Sequence, residues 1–367
     1  MHSFILRTPR RELSARGIRS RWSDASAANQ ALRRGQGPVV GALPFHADDP
    51  AVLFTPETLG TDAPDLPRAP LPGFLAAEKL PTEHDHAERV REAIRRIREG
   101  DFDKIVLSRQ VRYLFDDAVD PEVLLRRFLE NSPGGNGHLV DLSPAGPTHR
   151  GATLVGSTPE LLISRRGRSI ISHPLAGTVP RAADPEEDRA RAAELLGSAK
   201  DAEEHAYVTG EINRILAPLC TDLHIPVGPS LTRSTHTWHL GTRITGTLAD
   251  QDITALELAS ALHPTPAIGG HPTPTTQAVL REVEPDRGFY AGAVGWTEES
   301  GDGDWWVTIR SAVVQGRTVS AHAGGGIVAA SDPDAEVRET DAKLGPVQQA
   351  LGLPTVATAP IPEPSRR

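Results

Sequence analysis

The chain has 367 residues, 38% of them hydrophobic, enough for one large core or two fused subdomains and too continuous for a string of small modules. A net charge of −9 argues against a phosphate-neutralising surface, so the expected partner is a small molecule and not nucleic acid. The single cysteine, Cys220, excludes an internal disulfide and a cysteine-built zinc cluster, which fits a reducing cytoplasm.

The first residues, MHSFILRTPRRELSARG, turn basic and polar after a few apolar positions and lack a small-residue cleavage site, unlike a secretory signal. No apolar run reaches the length of a membrane span, so no membrane association is expected. Residues 1 to about 80 are rich in Pro, Ala and Arg. Their short apolar runs at 38–45 (PVVGALPF) and 51–54 (AVLF) predict edge strands and loops. From Glu83 the pattern changes: Val90, Ala93, Ile94 and Ile97 recur at helical spacing, and Gly100 predicts the C-terminal cap. Residues 104–111 (KIVLSRQV) alternate in period two and predict a strand, with Ile105, Leu107 and Val111 on one face and Lys104, Val106 and Ser108 on the other.

Short strands follow at 152–155, 160–164 and 169–172, separated by Pro and Gly turn signals, and predict an antiparallel sheet. Residues 186–216 predict helix with a break near Gly197 and Ser198, where Ser198 and Asp201 have the spacing of a capping box that restarts it. Strands are predicted again at 243–247, 292–296, 305–314 and 318–323, the last leading into a Gly-rich turn at 323–326 (AGGG). Asp332 followed by Pro333 predicts the start of a closing helix that runs to about Leu351, and the Pro-rich tail from 353 to 367 is expected to be disordered. Runs of strands and long helices without regular alternation predict an α+β fold.

Glu336, Glu339 and Lys343 share one face of the closing helix at i, i+3 and i+7, a common pattern of a solvated ion-pair face, while the preceding glycines and the two carboxylates in the first turn support a ligand site. Glu204 lies on a stripe with Val208, Glu211 and Ile215, which places it at the border of the core. Carboxylates from two helices suit an oxygen-loving cation such as Mg²⁺ if the helices meet. The histidines His236, His239, His263 and His271 lack a firm zinc motif, and the glycines match neither a P-loop nor a dinucleotide fingerprint. Lys104 and Glu160, each beside a predicted strand, remain open between structural and chemical roles.

Taken together, ordered blocks over residues 85–352 resemble the chorismate-utilising enzymes, the family of anthranilate, aminodeoxychorismate, salicylate and isochorismate synthases. The blocks are KIVLSR at Lys104, GSTPELL at Gly156, HPLAGTVPR at His173, KDAEEH at Lys200, THTWHL at Thr235, LHPTPAIGGHP at Leu262, GFYAGAVGW at Gly288, WVTIRSA at Trp306, AGGGIV at Ala323 and EVRETDAKL at Glu336. GALPF at Gly41 resembles an early block of the siderophore-type members. The resemblance implies two packed antiparallel β-sheets flanked by helices, with residues 1–84 a variable part of the same fold and 85–352 the chorismate-binding region. It also implies a Mg²⁺ cofactor on Glu204, Glu336 and Glu339, with Gly177 and Thr178 beside the ring carboxylate.

Tyr290, Arg310, Gly324 and Lys343 then resemble the binders of the enolpyruvyl carboxylate, and His239 resembles a histidine near the ring. Lys104 matches the base that activates water and Glu160 the acid that protonates the departing hydroxyl. Ammonia-using members resemble one another in having glutamine at the position of Lys104, and aminodeoxychorismate synthases use a nucleophilic lysine where this chain has Ala176. Ala267 and Ile268 resemble the members that release isochorismate, whereas salicylate synthases have a threonine near Ile268. The expectation is a monomeric isochorismate-forming enzyme of the cytoplasm that needs no glutaminase subunit. Salicylate formation and a non-catalytic scaffold are the alternatives.

Overall fold

The computed structural model describes residues 2–62, 64–132, 136–234 and 237–354. His236, weighed above as a metal ligand, and the tail from residue 355 onward lie outside the described residues.

Two antiparallel sheets form the body of the molecule. One runs edge to edge through Gly270–His271, Lys104–Phe115, Thr318–Ile327, Ser311–Gln315, Ala152–Gly156, Gly137–Asp141, Phe4–Thr8, Arg11–Arg16 and Thr58–Gly60, with Phe74–Leu80 also pairing Lys104–Phe115. The other runs through Cys220–His224, Ile244–Leu248, Ser169–His173, Leu161–Arg166, Gly303–Val307, Ala293–Thr297, Val39–Leu43, Val52–Thr55 and Ser20–Trp22. Their facing side chains interdigitate: Phe4, Leu6 and Leu154 from the first meet Val40, Phe54 and Trp296 from the second, all buried. Such packing of two apolar faces is what joins the sheets. Helices cover the outside. Leu124, Leu125 and Phe128 of Pro121–Glu130 and Leu344 and Val347 of Pro333–Leu351 bury the outer face of the first sheet. The α+β arrangement expected from the sequence is therefore the one adopted.

Local signals in the sequence were followed at several helix ends. Thr82 caps Glu83–Glu99, and Gly100 closes it in the left-handed conformation (φ 85°). The helix pair breaks where expected, at Gly197 and Ser198. The Ser198 hydroxyl accepts from the Asp201 amide at 3.2 Å and starts Ala199–Leu216. Asp332 and Pro333 start the closing helix.

Long-range pairing overturns other expectations. Val39–Leu43 is an interior strand and not an edge, paired with Ala293–Thr297 on one side and Val52–Thr55 on the other, and every residue in it is buried. The predicted strand 305–314 is two strands in different sheets. Gly303–Val307 ends in the second sheet, the chain crosses over residues 308–310, and Ser311–Gln315 begins in the first. The AGGG segment is not a turn: Gly324, Gly325 and Gly326 pair in register with Ser108, Leu107 and Val106 inside Thr318–Ile327. A third, three-stranded sheet of Leu175–Pro180, Thr237–Gly241 and Ser230–Arg233 was not anticipated. Helices Ala25–Arg33, Pro121–Glu130, Ala255–Leu262 and Thr273–Val283 were also missed, although Asp120 with Pro121 and the capping box Thr254 to Glu257 mark two of their starts.

Candidate active site

A buried cavity forms where the end of the glycine strand, the sheet crossover at 308–310, the third sheet and helix Ala199–Leu216 converge. Its lining includes Glu160, Gly177, Thr178, Glu204, His239, Ala267, Ile268, Tyr290, Arg310, Gly324 and Lys343, so most of the residues singled out in the sequence meet here. Lys104, Glu336 and Glu339 are not part of that lining. Val106, Leu175, Ala176, Ala291, Ile309 and Gly326 line the cavity without having been assigned a role there.

The glycines explain how the carboxylates reach this point. A Cβ on Gly326 would stand 2.1 Å from Glu204 Oε1 and 3.0 Å from Lys104 Cε, and one on Gly325 would stand 2.7 Å from Glu336 Oε2. The strand backbone is thus bare where two glutamates from separate helices approach it. Gly177, with φ 73°, needs the left-handed conformation, and a Cβ there would press on Asp201.

Glu204 in the lining and Glu336 and Glu339 outside it each pair with a lysine. Lys104, with no exposed surface, is 3.0 Å from Glu204. Lys200 is 2.8 Å from Glu336 and Lys343 is 2.5 Å from Glu339, while Lys343 also donates to the Gly324 carbonyl at 2.9 Å. Lys200 is a partner that sequence reasoning missed, although the KDAEEH block contains it. Burial by itself would raise the Glu204 carboxyl, but the charges of Lys104, Lys343 and Lys200 outweigh it and hold the pKa below the ordinary 4.5. Glu336 goes the other way: burial, then the adjacent Glu339 charge, push it up to about 7 against the pull of Lys200.

Glu160 sits on the opposite side in chemical character. Burial raises its pKa to about 7, opposed by a hydrogen bond from the Leu175 amide and by the charges of Lys104, Arg310 and Lys343. Near neutral pH it is a carboxylic acid able to give up a proton. Its backbone is held in place: the Val307 amide donates to the Glu160 carbonyl at 3.0 Å, and the Thr158 hydroxyl donates to the Val307 carbonyl at 2.6 Å. His239 is hydrogen-bonded through Nδ1 to Thr178 (3.0 Å) and through Nε2 to Thr237 (2.7 Å), and burial lowers its pKa well below 6.5. A neutral imidazole between two hydroxyls orients Thr178 and contributes no charge.

Arg310 makes no side-chain hydrogen bond or ion pair among the described residues, which leaves its guanidinium free for an anion. It and Ala291 are the two non-glycine residues with left-handed backbone among those described (φ 53° and 56°), and both line the cavity. Such conformations cost about 1–3 kcal/mol each and persist where the surroundings impose them. Here the crossover between sheets imposes the turn at Arg310.

A buried network absent from the sequence reading braces one wall. Glu284 accepts from the Ser108 amide at 2.5 Å and from its hydroxyl at 3.0 Å, and pairs with Arg287 at 2.6 Å, both acid and guanidinium being almost fully buried. Arg287 also donates to the carbonyls of Ile268 (2.8 Å) and Val106 (2.6 Å) and lies over the Phe45 ring. Two residues of the cavity lining are thereby tied to one guanidinium.

Among the described residues, no three His, Cys, Asp or Glu side chains gather into a metal cage. A hard divalent cation needs less: one or two carboxylates, with water and substrate oxygens completing the shell. The donors present fit that requirement. They are all carboxylate oxygens, and Glu336 Oε2 is buried without a hydrogen-bond partner.

A buried acid whose pKa is raised to about 7, a lysine–glutamate ion pair at the wall and a guanidinium with no partner among the described residues make up an enzyme-type site suited to a small anion. The chain belongs to the chorismate binding enzyme family, whose family model matches residues 59–352. It is 47% identical to the Mycobacterium tuberculosis protein MenF over 95% of this chain and 96% of that one. It is 39% identical to isochorismate synthase DhbC of Bacillus subtilis, over 96% of this chain and 94% of that one. The solved structure of DhbC from Bacillus anthracis superposes with a TM-score of 0.89 at 37% identity, covering 96% of both chains.

Proposed function

We propose that this protein is an isochorismate synthase that interconverts chorismate and isochorismate with Mg²⁺ as cofactor. The observation that carries the reading is the placement in one cavity of the buried Glu160, whose pKa burial raises to about 7, and of Glu204, which is ion-paired with Lys104 at 3.0 Å. The names of the relatives support it: DhbC of Bacillus subtilis is an isochorismate synthase, and the Mycobacterium tuberculosis protein is named as a candidate one.

In this reading Arg310, Tyr290, Gly324 and Lys343 hold the enolpyruvyl carboxylate, and Gly177 and Thr178 flank the ring carboxylate. Glu204, Glu339 and Glu336 would hold Mg²⁺, which would supply positive charge to neutralise the ring carboxylate. Lys104, buried beside Glu204, takes a proton from water as the water oxygen bonds to ring C2. The two ring double bonds each shift by one position, from C1–C2 to C1–C6 and from C5–C6 to C4–C5, the bond from C4 to its hydroxyl breaks, and Glu160 gives that hydroxyl its proton so that water leaves. One water enters and one departs, so the net change is an isomerisation. Ala267 and Ile268 offer the product no polar contact, which favours release over pyruvate elimination.

Water as nucleophile makes a glutaminase subunit unnecessary, and the chain acts as a monomer in the cytoplasm. Among the described residues no helix is long and apolar enough to cross a membrane. We further infer that the product supplies 2,3-dihydroxybenzoate formation, since the Bacillus anthracis relative is named as a candidate synthase specific for that compound. Restoring growth of an isochorismate-synthase-deficient siderophore producer under iron limitation tests this. The activity itself is tested by incubating the purified protein with chorismate and Mg²⁺, with and without EDTA, and separating the products. Isochorismate in equilibrium with chorismate, lost on chelation, is expected. Salicylate with pyruvate, or no turnover, would overturn the assignment.

A further inference from the structure

A second cavity, of about 450 Å³, adjoins the first and shares Arg310 with it. Its walls combine Ser157, Thr158, Thr232 and Ser234 with two further arginines, Arg181 and Arg233, and its lining contains no aspartate or glutamate. In a protein of net charge −9 this is a local inversion of sign. The three arginines differ in availability. Arg181 is taken up by Asp188, at 2.7 Å, and lies over the Trp238 ring. Arg233, exposed at the end of strand Ser230–Arg233, forms no ion pair or side-chain hydrogen bond among the described residues, and Arg310 at the inner end forms none either.

We propose that this cavity is an antechamber for the dicarboxylate substrate, with Arg233 as its outer anion contact and Arg310 as the inner one. The inference rests on the reading of the inner cavity as a site for a dianion. An anion leaving bulk solvent meets a free guanidinium at the rim, passes hydroxyl groups that can replace its water, and reaches a guanidinium that belongs to both cavities. A concave surface of one sign focuses the field and raises the local concentration of the opposite charge, an effect that salt weakens. Arg233 therefore acts on capture and not on chemistry.

Steady-state turnover of chorismate across a series of NaCl concentrations tests this with the full chain, Arg233→Gln, Arg233→Lys and the control Arg10→Gln. The control removes the same charge from the exposed turn between Phe4–Thr8 and Arg11–Arg16. We expect Arg233→Gln to raise KM by roughly threefold to tenfold, to leave kcat unchanged and to flatten the salt dependence of kcat/KM. Arg233→Lys should keep most of the salt dependence, and Arg10→Gln should match the unaltered protein. An Arg233→Gln variant with unaltered KM and salt dependence, or one that loses kcat instead, would overturn the antechamber. Absence of chorismate turnover in the unaltered protein would remove the reading of the inner site first, and the antechamber with it.

Discussion

Glu160 is the residue whose environment says most about chemistry. The ordinary carboxyl value is 4.5 and burial lifts it to about 7, so between those values the folded protein keeps a proton that the unfolded chain has released. Stability from this group is whole below about pH 4.5 and is lost as pH rises through 7, a change on the order of 3 kcal/mol. In the proposed mechanism the same proton goes to the departing hydroxyl. We expect kcat/KM for chorismate to fall as pH rises above about 7, read from a pH–rate profile. Glu160→Gln should lower kcat by roughly 10²–10⁴ while raising Tm at pH 8, where the unaltered protein buries a charge. A variant that loses activity and Tm together at pH 8 would contradict this account.

Lys104 offers a second test at the same scale. It shares a buried ion pair with Glu204, and breaking such a pair from one side costs about 3–5 kcal/mol because the other charge stays behind. Lys104→Met should therefore lower Tm strongly in EDTA and less in MgCl₂, since a cation at Glu204 replaces the missing ammonium. Turnover should stay low in both conditions. Equal Tm losses with and without Mg²⁺ would argue against a cation at Glu204.

Among the elements, the strand Thr318–Ile327 has a particular use: its glycines give room for glutamates arriving from two helices. Gly326→Ala places a methyl 2.1 Å from Glu204 Oε1, so the carboxylate must move off the site. We expect a far-ultraviolet circular dichroism spectrum like that of the unaltered protein, with a weaker apparent affinity for Mg²⁺ in the chorismate assay. Helix Thr273–Val283 leads into Glu284, and the Glu284–Arg287 pair ties Ser108, Val106 and Ile268 together across three chain segments. Arg287→Lys cannot donate to both carbonyls and to Glu284 in one plane. It should destabilise the protein by a few kcal/mol, about 3, in urea unfolding. It should also raise the pyruvate released per isochorismate formed, because Ile268 is no longer held.

At the scale of the whole molecule, the N-terminal segment contributes to both sheets. Phe4–Thr8 pairs with Gly137–Asp141 in one and Val39–Leu43 with Ala293–Thr297 in the other, with Phe4, Val40 and Trp296 packed between them. We propose that residues 1–84 and 85–352 fold as a unit. A chain starting at residue 85 should be insoluble or lack a cooperative thermal transition by circular dichroism. A soluble, cooperatively melting fragment would show instead that the N-terminal strands are an addition to an independent body.

What the sequence determined by itself was local structure and a set of candidate site residues, many of which line one cavity. The cap at Gly100, the break at Ser198 and the start at Asp332 depend on neighbours a few residues away, and each is where the pattern put it. The ordered blocks, from KIVLSR to EVRETDAKL, marked Glu160, Glu204, Arg310 and Lys343 before any of them could be seen to meet. Tertiary structure decided what depends on pairing between distant segments. Trp305 and Val314 belong to one apolar run, yet only the partners of each half place them in different sheets, with Arg310 at the crossing. The glycines read as a turn because their missing side chains are invisible as strand signal. They are strand because Lys104–Phe115 pairs with them, and glycine because Glu204 and Glu336 approach there. Arg287 and Lys200 have no local signature at all, since their partners are carbonyls and a carboxylate brought near by the fold. Periodicity reports which way a side chain points, and only packing decides what it meets.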